Sequence, residues 1–199
     1  ALCRQSYKAV AGSTAGFYAV MSAVDLTVLG EYFVGKCVAS PAAAFLAEDT
    51  LAVSAGAGEV LLLSAEKLQV LGRTSLPVQL HCIRAEEALP RRLFALGCEG
   101  GVGFLGANGQ LLRWVGAAHA GSASDVAAHS SGVVLSVGDD GRLCAWLPAG
   151  AFKAATQLPT SPVLAICAGK DAQMFHLASA EGVTTVRVSD LEGEEGVAQ

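Results

Sequence analysis

The chain has 199 residues, of which 52% are hydrophobic and 16% are charged, and its formal net charge is −5. A transmembrane helix needs about 20 predominantly apolar residues, whereas the long uncharged runs, residues 9–24 and 154–169, are interrupted by Gly, Ser, Thr or Pro. The acidic balance disfavours direct nucleic-acid binding, which needs a basic surface, and the length predicts one soluble domain with a substantial core.

Six cysteines are spread along the chain: Cys3, Cys37, Cys82, Cys98, Cys144 and Cys167. No two form a C-x-x-C pair, and none lies in a short Cys/His box of the zinc-binding type. We interpret them as reduced residues that act as small hydrophobes. This interpretation predicts an intracellular protein, cytoplasmic or nuclear.

Five stretches of the chain share one pattern: an apolar strand, a turn of small residues, a glycine and a second apolar strand. The glycines are Gly16, Gly58, Gly101, Gly141 and Gly182, and their successive spacings are 42, 43, 40 and 41 residues. A hairpin repeat of this length is typical of a β-propeller, in which each blade is a four-stranded antiparallel sheet. The sequence therefore predicts an all-β fold with about five blade units.

Strands a to d of each blade can be placed around these hairpins in chain order. The first unit offers only strands b, c and d. In the second unit strand a is predicted to begin with residues 36–39, and strands b, c and d are 50–54, 59–64 and 68–72. Those of the third unit are 78–84, 92–97, 102–105 and 110–115. Those of the fourth unit are 124–128, 133–137, 142–147 and 151–157. The fifth unit offers 162–168, 174–179 and 183–188, with no strand d. The predicted units are 1–34, 35–74, 75–117, 118–158 and 159–190, followed by an acidic tail, 191–199.

The fourth unit, AHAGSASDVAAHSSGVVLSVGDDGRLCAWL (118–147), has His119 and Trp146 separated by 27 positions. It resembles a WD repeat, whose propeller blades run from a Gly-His-like pair to Trp-Asp. In that family a histidine before strand a, a Ser or Thr on strand b, an Asp in the b–c turn and a Trp on strand c form a hydrogen-bonded network. The resemblance implies such a structural network of His119, Ser136, Asp140 and Trp146.

The other units follow the pattern without this motif, and Leu147 replaces the usual Asp after Trp146. The residues near the tryptophan position in the other units are Met21, Leu63, Leu105 and Ser189. We therefore expect those units to be held by apolar packing. Because WD-repeat propellers usually have seven blades, the chain is expected to be part of a larger propeller or an open ring completed by a partner chain.

Gly101, Gly103 and Gly106 have the G-x-G-x-x-G spacing of a dinucleotide-binding loop. Such a loop follows a strand and opens a helix, but the turn at Asn108-Gly109 and a short apolar run come next. We predict no cofactor at these glycines. Instead, residues 99–101 are interpreted as the b–c turn and residues 102–106 as the third strand of a blade.

No catalytic or metal-binding arrangement is evident. The histidines, which lack metal-ligand spacing, are His81, His119, His129 and His176. His81 and Cys82 are neighbours on a predicted strand and should point to opposite faces, which disfavours a nucleophile–base pair. The charged pairs at 86–87 and 91–92 flank a predicted a–b loop.

The predicted function is a non-catalytic scaffold that binds other protein subunits in an intracellular assembly. Neither membrane insertion nor direct binding of nucleic acid or of a small molecule is expected, and the partner-binding residues stay unknown. The alternative is an enzyme, or a small-ligand or peptide binder, that uses the central channel of the propeller. That alternative requires polar groups that converge at one mouth of the channel.

Overall fold

The computed structural model describes residues 2–3, 7–47, 49–86, 93–128, 132–147, 151–158, 163–169, 171 and 174–191. Within these residues the structure is almost entirely β, and the strands form five antiparallel sheets. None of the described segments is a helix long and apolar enough to span a membrane.

Sheets and strands are numbered in chain order. Sheet 1 contains β1 (Leu2–Cys3), β2 (Lys8–Gly12), β3 (Phe17–Ser22) and β4 (Val28–Phe33). Sheet 2 contains β5 (Ala43–Ala47), β6 (Thr50–Ser54), β7 (Glu59–Ser64) and β8 (Val70–Ser75). Sheet 3 contains β9 (Leu80–Glu86), β10 (Leu93–Cys98), β11 (Gly101–Gly106) and β12 (Leu111–Gly116). Sheet 4 contains β13 (Ala123–Ala128), β14 (Val134–Gly138), β15 (Arg142–Trp146) and β16 (Phe152–Gln157). Sheet 5 contains β17 (Val163–Ala168), β18 (Met174–Ser179) and β19 (Gly182–Arg187), and a 3-10 turn follows at Val188–Asp190.

The sheets are arranged around a common centre. Within each sheet the strands pair in chain order, and the first strands of neighbouring sheets contact one another: β5 with β9, β9 with β13 and β13 with β17. Sheet 1 meets β5 through β1 and β2. This is the arrangement of propeller blades, so the predicted all-β propeller of about five blade units is confirmed.

The apolar core lies between adjacent sheets. In the middle sheets both faces are covered, and β7 and β11 are almost entirely buried, which explains why these strands are near-continuous apolar runs in the sequence. β3 of sheet 1 instead alternates between buried and more exposed residues, and β19 of sheet 5 is mostly exposed. The two outermost sheets are therefore packed on one face in the described chain.

Two predicted strand positions are wrong. Sheet 1 does have a first strand, since Leu2 pairs with Ala9 on β2. The sequence did not predict this strand, because its two residues are too few to show an alternation of apolar and polar residues. The first strand of sheet 2 is Ala43–Ala47 and not residues 36–39, because Val38 N donates to Thr14 O in the neighbouring sheet instead.

The remaining predicted strands lie within three residues of the observed ones, and those at 50–54, 59–64 and 174–179 agree in both bounds. Among the described residues sheet 5 has three strands. The predicted tail lies outside the described residues except for Leu191, and so do His129 and the charged residues at 87, 91 and 92.

Three of the five repeated glycines mark the turn before the third strand, whereas Gly182 is itself the first residue of its third strand, β19. Gly16, Gly58 and Gly141 each directly precede that strand with φ of +87°, +80° and +72°, a conformation that glycine adopts without steric cost. In sheet 3 this place is taken by Gly100 (φ +69°). Gly101 is the first residue of β11, so its predicted place in the turn is wrong by one residue.

Candidate functional site

The four residues predicted to form a network are hydrogen-bonded to one another along sheet 4, from Asp140 in the turn before β15 to Trp146 at the end of that strand. Ser136 Oγ is 2.9 Å from His119 Nε2 and 3.0 Å from Trp146 Nε1, and His119 Nδ1 is 3.1 Å from Asp140 Oδ1. Because an indole N–H only donates, Ser136 accepts from Trp146. A neutral imidazole with its proton on Nδ1 then satisfies every group, as it accepts from Ser136 and donates to Asp140.

The electrostatics of the network favour a neutral histidine and an ionised aspartate. Burial lowers the pKa of His119, and this effect outweighs the opposing hydrogen bond and charge of Asp140. Burial alone would raise the pKa of Asp140. However, hydrogen bonds from the backbone N–H groups of Ala120 and Arg142 and from His119 lower it overall.

Gly138 provides the space for this network, which sequence reasoning did not identify. A β-carbon at Gly138 would overlap Nδ1 of His119 and would lie 2.8 Å from Oδ1 of Asp140. The sequence did contain an indication of this role, because a glycine ends the predicted second strand of the unit directly before Asp139-Asp140.

Sheets 1 and 2 are joined by a different polar contact. The Tyr18 hydroxyl lies 2.8 Å from the Ser54 carbonyl and 2.7 Å from its Oγ, and Ala42 N donates to the same Oγ at 2.9 Å. Burial raises the pKa of Tyr18. No motif predicted this contact, because its partners come from two different repeats.

A central cavity of about 370 Å³ is lined by residues of all five sheets, from β2 in sheet 1 and from the first strand in each of the other four. Asp125 on β13 lies at its wall, nearly buried, and its carboxylate binds groups from three sheets. Arg84 of β9 lies 2.8 Å away, the backbone N–H of Val126 donates at 3.0 Å, and the N–H of Ile166 on β17 donates at 3.1 Å. Asp125 is therefore a link between sheets 3, 4 and 5 at the centre of the propeller.

His81 also lines this cavity. Its Nε2 is buried and has no hydrogen-bond partner among the described residues. Its neighbour Cys82 is buried too, and burial raises the pKa of the Cys82 thiol to about 12, so that thiol is not an activated nucleophile. Within the described part of the chain no three His, Cys, Asp or Glu side chains are grouped as a metal site.

The glycines with dinucleotide-loop spacing all lie on the single strand β11, followed by β12. The indole of Trp114 on β12 covers two of them, Gly101 and Gly103: a β-carbon at Gly101 would lie 2.9 Å from its Cζ2, and one at Gly103 would lie 3.5 Å from its Cε3. An aromatic side chain that packs over cross-strand glycines stabilises a sheet. Gly101 and Gly103 thus make room for Trp114 within an antiparallel sheet.

Sheets 1 to 4 share a β-bulge between their third and fourth strands. The pairing skips one residue of the outer strand each time, and the skipped residues are Leu29, Leu71, Leu112 and Lys153. The three leucines are 56%, 59% and 43% exposed. These three leucines occupy the same exposed position on successive blades, and we call them the leucine row. Its sequence signal was an apolar pair, Val-Leu or Leu-Leu, that recurs about every 42 residues.

No protein-family model matches the chain. No curated protein matches it either. Among solved structures, the chain is similar to the C-terminal WD40 domain of Sif2, with a TM-score of 0.77 and 13% sequence identity over 94% of this chain. The match covers 54% of the Sif2 chain, so this chain spans about half the length of that structure. At this identity the similarity shows the fold, which is the β-propeller fold of WD-repeat domains.

Proposed function

Given that the chain has the WD-repeat β-propeller fold, we propose that it is a non-catalytic scaffold. It binds other protein subunits in an intracellular assembly, cytoplasmic or nuclear. Propellers of this fold generally serve as protein-interaction modules, and rigid blades hold a surface in place for a partner. The observation that carries the proposal is the leucine row of Leu29, Leu71 and Leu112.

The exposure of the leucine row is not explained by packing between blades. Leu71 and Leu112 belong to sheets 2 and 3, which have a neighbouring sheet on both sides, yet both side chains stay substantially exposed. Burial of a leucine side chain contributes about 1.5–3 kcal/mol. A partner that covers two or three of them at once therefore gains a substantial part of a protein–protein binding energy.

The test is co-purification of the native full-length protein with and without the double substitution Leu71→Gln and Leu112→Gln. The natural protein should be recovered in a stable stoichiometric complex, and the variant should bind its partner at least about tenfold more weakly, since about 1.4 kcal/mol is a factor of ten. Leu164→Gln is the matched control, because Leu164 is 63% exposed but lines the central cavity. A monomeric natural protein that turns over a substrate would contradict the proposal.

A second candidate function is the binding of a small ligand or a peptide in the central cavity. The observation that favours it is that His81, whose buried Nε2 has no hydrogen-bond partner among the described residues, lines the same cavity as Arg84 and Asp125. The same experiment separates the two functions. If the second candidate is right, Leu164→Gln and His81→Phe should abolish binding, and the leucine-row variant should bind normally.

A further inference from the structure

A second, smaller cavity of about 210 Å³ lies beside the turn between β6 and β7. The connection from sheet 1 to sheet 2, this turn and the start of sheet 3 form its wall, and we call it the turn pocket. Its wall includes Cys37, Val38, Ser40, Gly56, Gln79 and Leu80. Pockets for small molecules usually have volumes of about 300–1,000 Å³. The turn pocket is smaller, so it suits one side chain of a protein partner, the kind of anchor that fills a pocket at an interface.

The wall of the turn pocket combines apolar side chains with hydrogen-bonding groups. Val38 and Leu80 are buried, at 2% and 3% exposed. Among the described residues, the hydrogen bonds of Ser40 and Gln79 use their backbone carbonyl oxygens. The Ser40 hydroxyl and the Gln79 carboxamide can therefore donate to a ligand. A ligand with an apolar stem and a hydrogen-bond acceptor at its end matches this wall.

Lys36 brings a positive charge to the turn pocket. Its side chain lies against Gly56, since a β-carbon on that glycine would be 2.9 Å from Lys36 Cε. The ammonium group is 2.9 Å from Glu59 Oε2, and Arg73 holds the other carboxylate oxygen at 2.7 Å. The hydrogen bond from Lys36 is the main reason that the pKa of Glu59 is lowered. Two cations thus share one ionised carboxylate, which leaves one positive charge in excess.

Lys36 can exchange Glu59 for another anion at little cost. The lysine side chain is 52% exposed, and exposed ion pairs contribute little to stability. When Lys36 turns away, Arg73 still neutralises Glu59, so the carboxylate keeps a partner. The ammonium group is therefore free to bind an anion that enters the turn pocket.

The charges around the turn pocket favour a ligand with a single negative charge. Glu99 adjoins the wall formed by sheet 3, since its N–H donates to Gln79 O at 2.9 Å. A phosphate group carries a charge of about −1.5 to −2 and is usually bound by a cluster of arginines. One lysine beside Glu59 and Glu99 instead matches a carboxylate.

We propose that the turn pocket binds an acidic side chain of a protein partner. The carboxylate accepts hydrogen bonds from the Lys36 ammonium group and the Gln79 carboxamide, and the stem of the side chain packs on Val38 and Leu80. This contact rests on the proposed scaffold function, and it uses none of the residues of the leucine row.

The test uses Cys37, which lines the turn pocket and is exposed, as the reporter. The rate at which a maleimide modifies it is measured by mass spectrometry, with and without an end-blocked Gly-Gly-Glu-Gly-Gly peptide. The peptide is used at about 10 mM, because an anchor of one side chain should bind in the millimolar range. Cys167 in sheet 5 is the internal control, since it is also exposed. Peptides with glutamine or phosphoserine in place of the glutamate are compared at equal ionic strength.

We expect the glutamate peptide to slow the modification of Cys37 at least about threefold, the factor that a ligand at twice its Kd gives. The rate at Cys167 should not change, and the glutamine peptide should protect neither thiol. Equal protection of Cys37 by the glutamate and glutamine peptides would overturn the proposal. Stronger protection by the phosphoserine peptide than by the glutamate peptide would overturn the assignment to a carboxylate.

Three variants test the role of Lys36. Lys36→Gln should remove the protection, whereas Glu59→Gln should increase it, because the ammonium group loses its competing partner. Lys67→Gln is the matched control, since Lys67 is exposed in the turn at the other end of sheet 2. Each variant is compared with itself without peptide, and the Tm of each should stay within about 1 °C of that of the natural protein. Undiminished protection in Lys36→Gln would overturn the proposal, and so would weaker protection in Glu59→Gln.

Co-purification of the native full-length protein separates this contact from the scaffold proposal. Lys36→Glu should weaken binding of the partner, and Lys67→Glu should leave it unchanged. The double variant Leu71→Gln and Leu112→Gln should lose the partner but should keep the protection of Cys37 by the glutamate peptide. If Lys36→Glu retains the partner while the leucine-row variant loses it, the scaffold proposal stands and the acidic contact is overturned.

Discussion

Gly138 lies directly against the imidazole of His119, in the space that any larger side chain would occupy. A β-carbon there would overlap Nδ1 of the ring and would lie 2.8 Å from Oδ1 of Asp140. The imidazole is almost fully buried and is held between Ser136 and Asp140. The network of sheet 4 therefore requires a glycine at position 138, which leaves room for the imidazole, as well as the side chains that form its hydrogen bonds.

Gly138→Ala should destabilise the protein, because the added methyl group displaces the imidazole from Asp140. Overpacking of a well-packed site costs about 1–3 kcal/mol, which urea unfolding would show as a lower midpoint with an unchanged slope. Gly121→Ala is the matched control: its β-carbon would meet Asp139 Cβ at an ordinary 3.4 Å. Equal midpoints for Gly138→Ala and Gly121→Ala would contradict the structural role of the network.

Ser136→Ala should cost more than removal of one hydrogen bond. The hydroxyl of Ser136 joins Trp146 and His119, so its loss leaves a buried indole N–H and a buried ring nitrogen without partners. Each buried unsatisfied group costs about 1–3 kcal/mol. Trp146→Ala should cost about 3–5 kcal/mol, the range for a buried large-to-small change. Ser189→Ala, at an exposed serine, should leave the urea midpoint unchanged, whereas an equally small effect of Ser136→Ala would contradict the predicted role.

The network should make stability depend on pH in a defined direction. The pKa of His119 is lower in the folded protein than its ordinary value of 6.5, so near that pH the unfolded chain binds more protons than the folded one. Neutral His119 makes its full contribution to the free energy of unfolding above about pH 6.5. As the pH falls below that value, protonation of His119 in the unfolded chain progressively lowers this free energy. The lowered pKa of Asp140 adds stability that is present above about 3.8 and lost as the pH falls through the folded value.

The measurement is urea unfolding between pH 7.5 and 4.5 for the natural protein and for His119→Gln. The variant should be less stable at pH 7.5 but should show a shallower loss of stability on acidification through pH 6. A variant whose stability falls as steeply as that of the natural protein would show that His119 is not the titrating group.

The sequence predicts the fold well where a strand is apolar and its turn carries a glycine. β6, β7 and β18 could be placed in both bounds because alternating turns and apolar runs delimit them. The bounds of β1 could not be predicted, since a strand of two residues shows no alternation of apolar and polar residues. Neither could those of β5, because only the tertiary pairing of Val38 with Thr14 shows that the segment before it is not a strand.

The site is predictable only where one repeat contains all of its members. His119, Ser136, Asp140 and Trp146 lie within one unit, so a motif relates them. Asp125 binds Arg84 and Ile166, which lie 41 residues before and after it. Such contacts between repeats leave no local pattern, because they depend on how neighbouring blades stack.

The cysteines should differ sharply in reactivity. Cys37 and Cys167 are exposed, whereas Cys82, Cys98 and Cys144 are buried, and burial raises the pKa of both Cys82 and Cys98 to about 12. Because the thiolate is the reactive species, a maleimide at pH 7 should modify the first two quickly and the buried three only after denaturation. Mass spectrometry of a Cys3→Ser variant checks this, and rapid native labelling of Cys98 would contradict the packing between sheets 2 and 3.

Asp125→Asn should loosen the centre of the propeller. The carboxylate accepts from Arg84, Val126 and Ile166, whereas the carboxamide has one acceptor oxygen and turns two donors toward these groups. Loss of hydrogen bonds to a buried charged group costs about 1.5–3 kcal/mol, so the urea midpoint should fall. Arg84→Ala should cost less, because the arginine side chain is 47% exposed and the two backbone donors still bind Asp125. A larger effect of Arg84→Ala than of Asp125→Asn would mean that the ion pair, and not the backbone links to sheets 4 and 5, is the main contribution of Asp125 to stability.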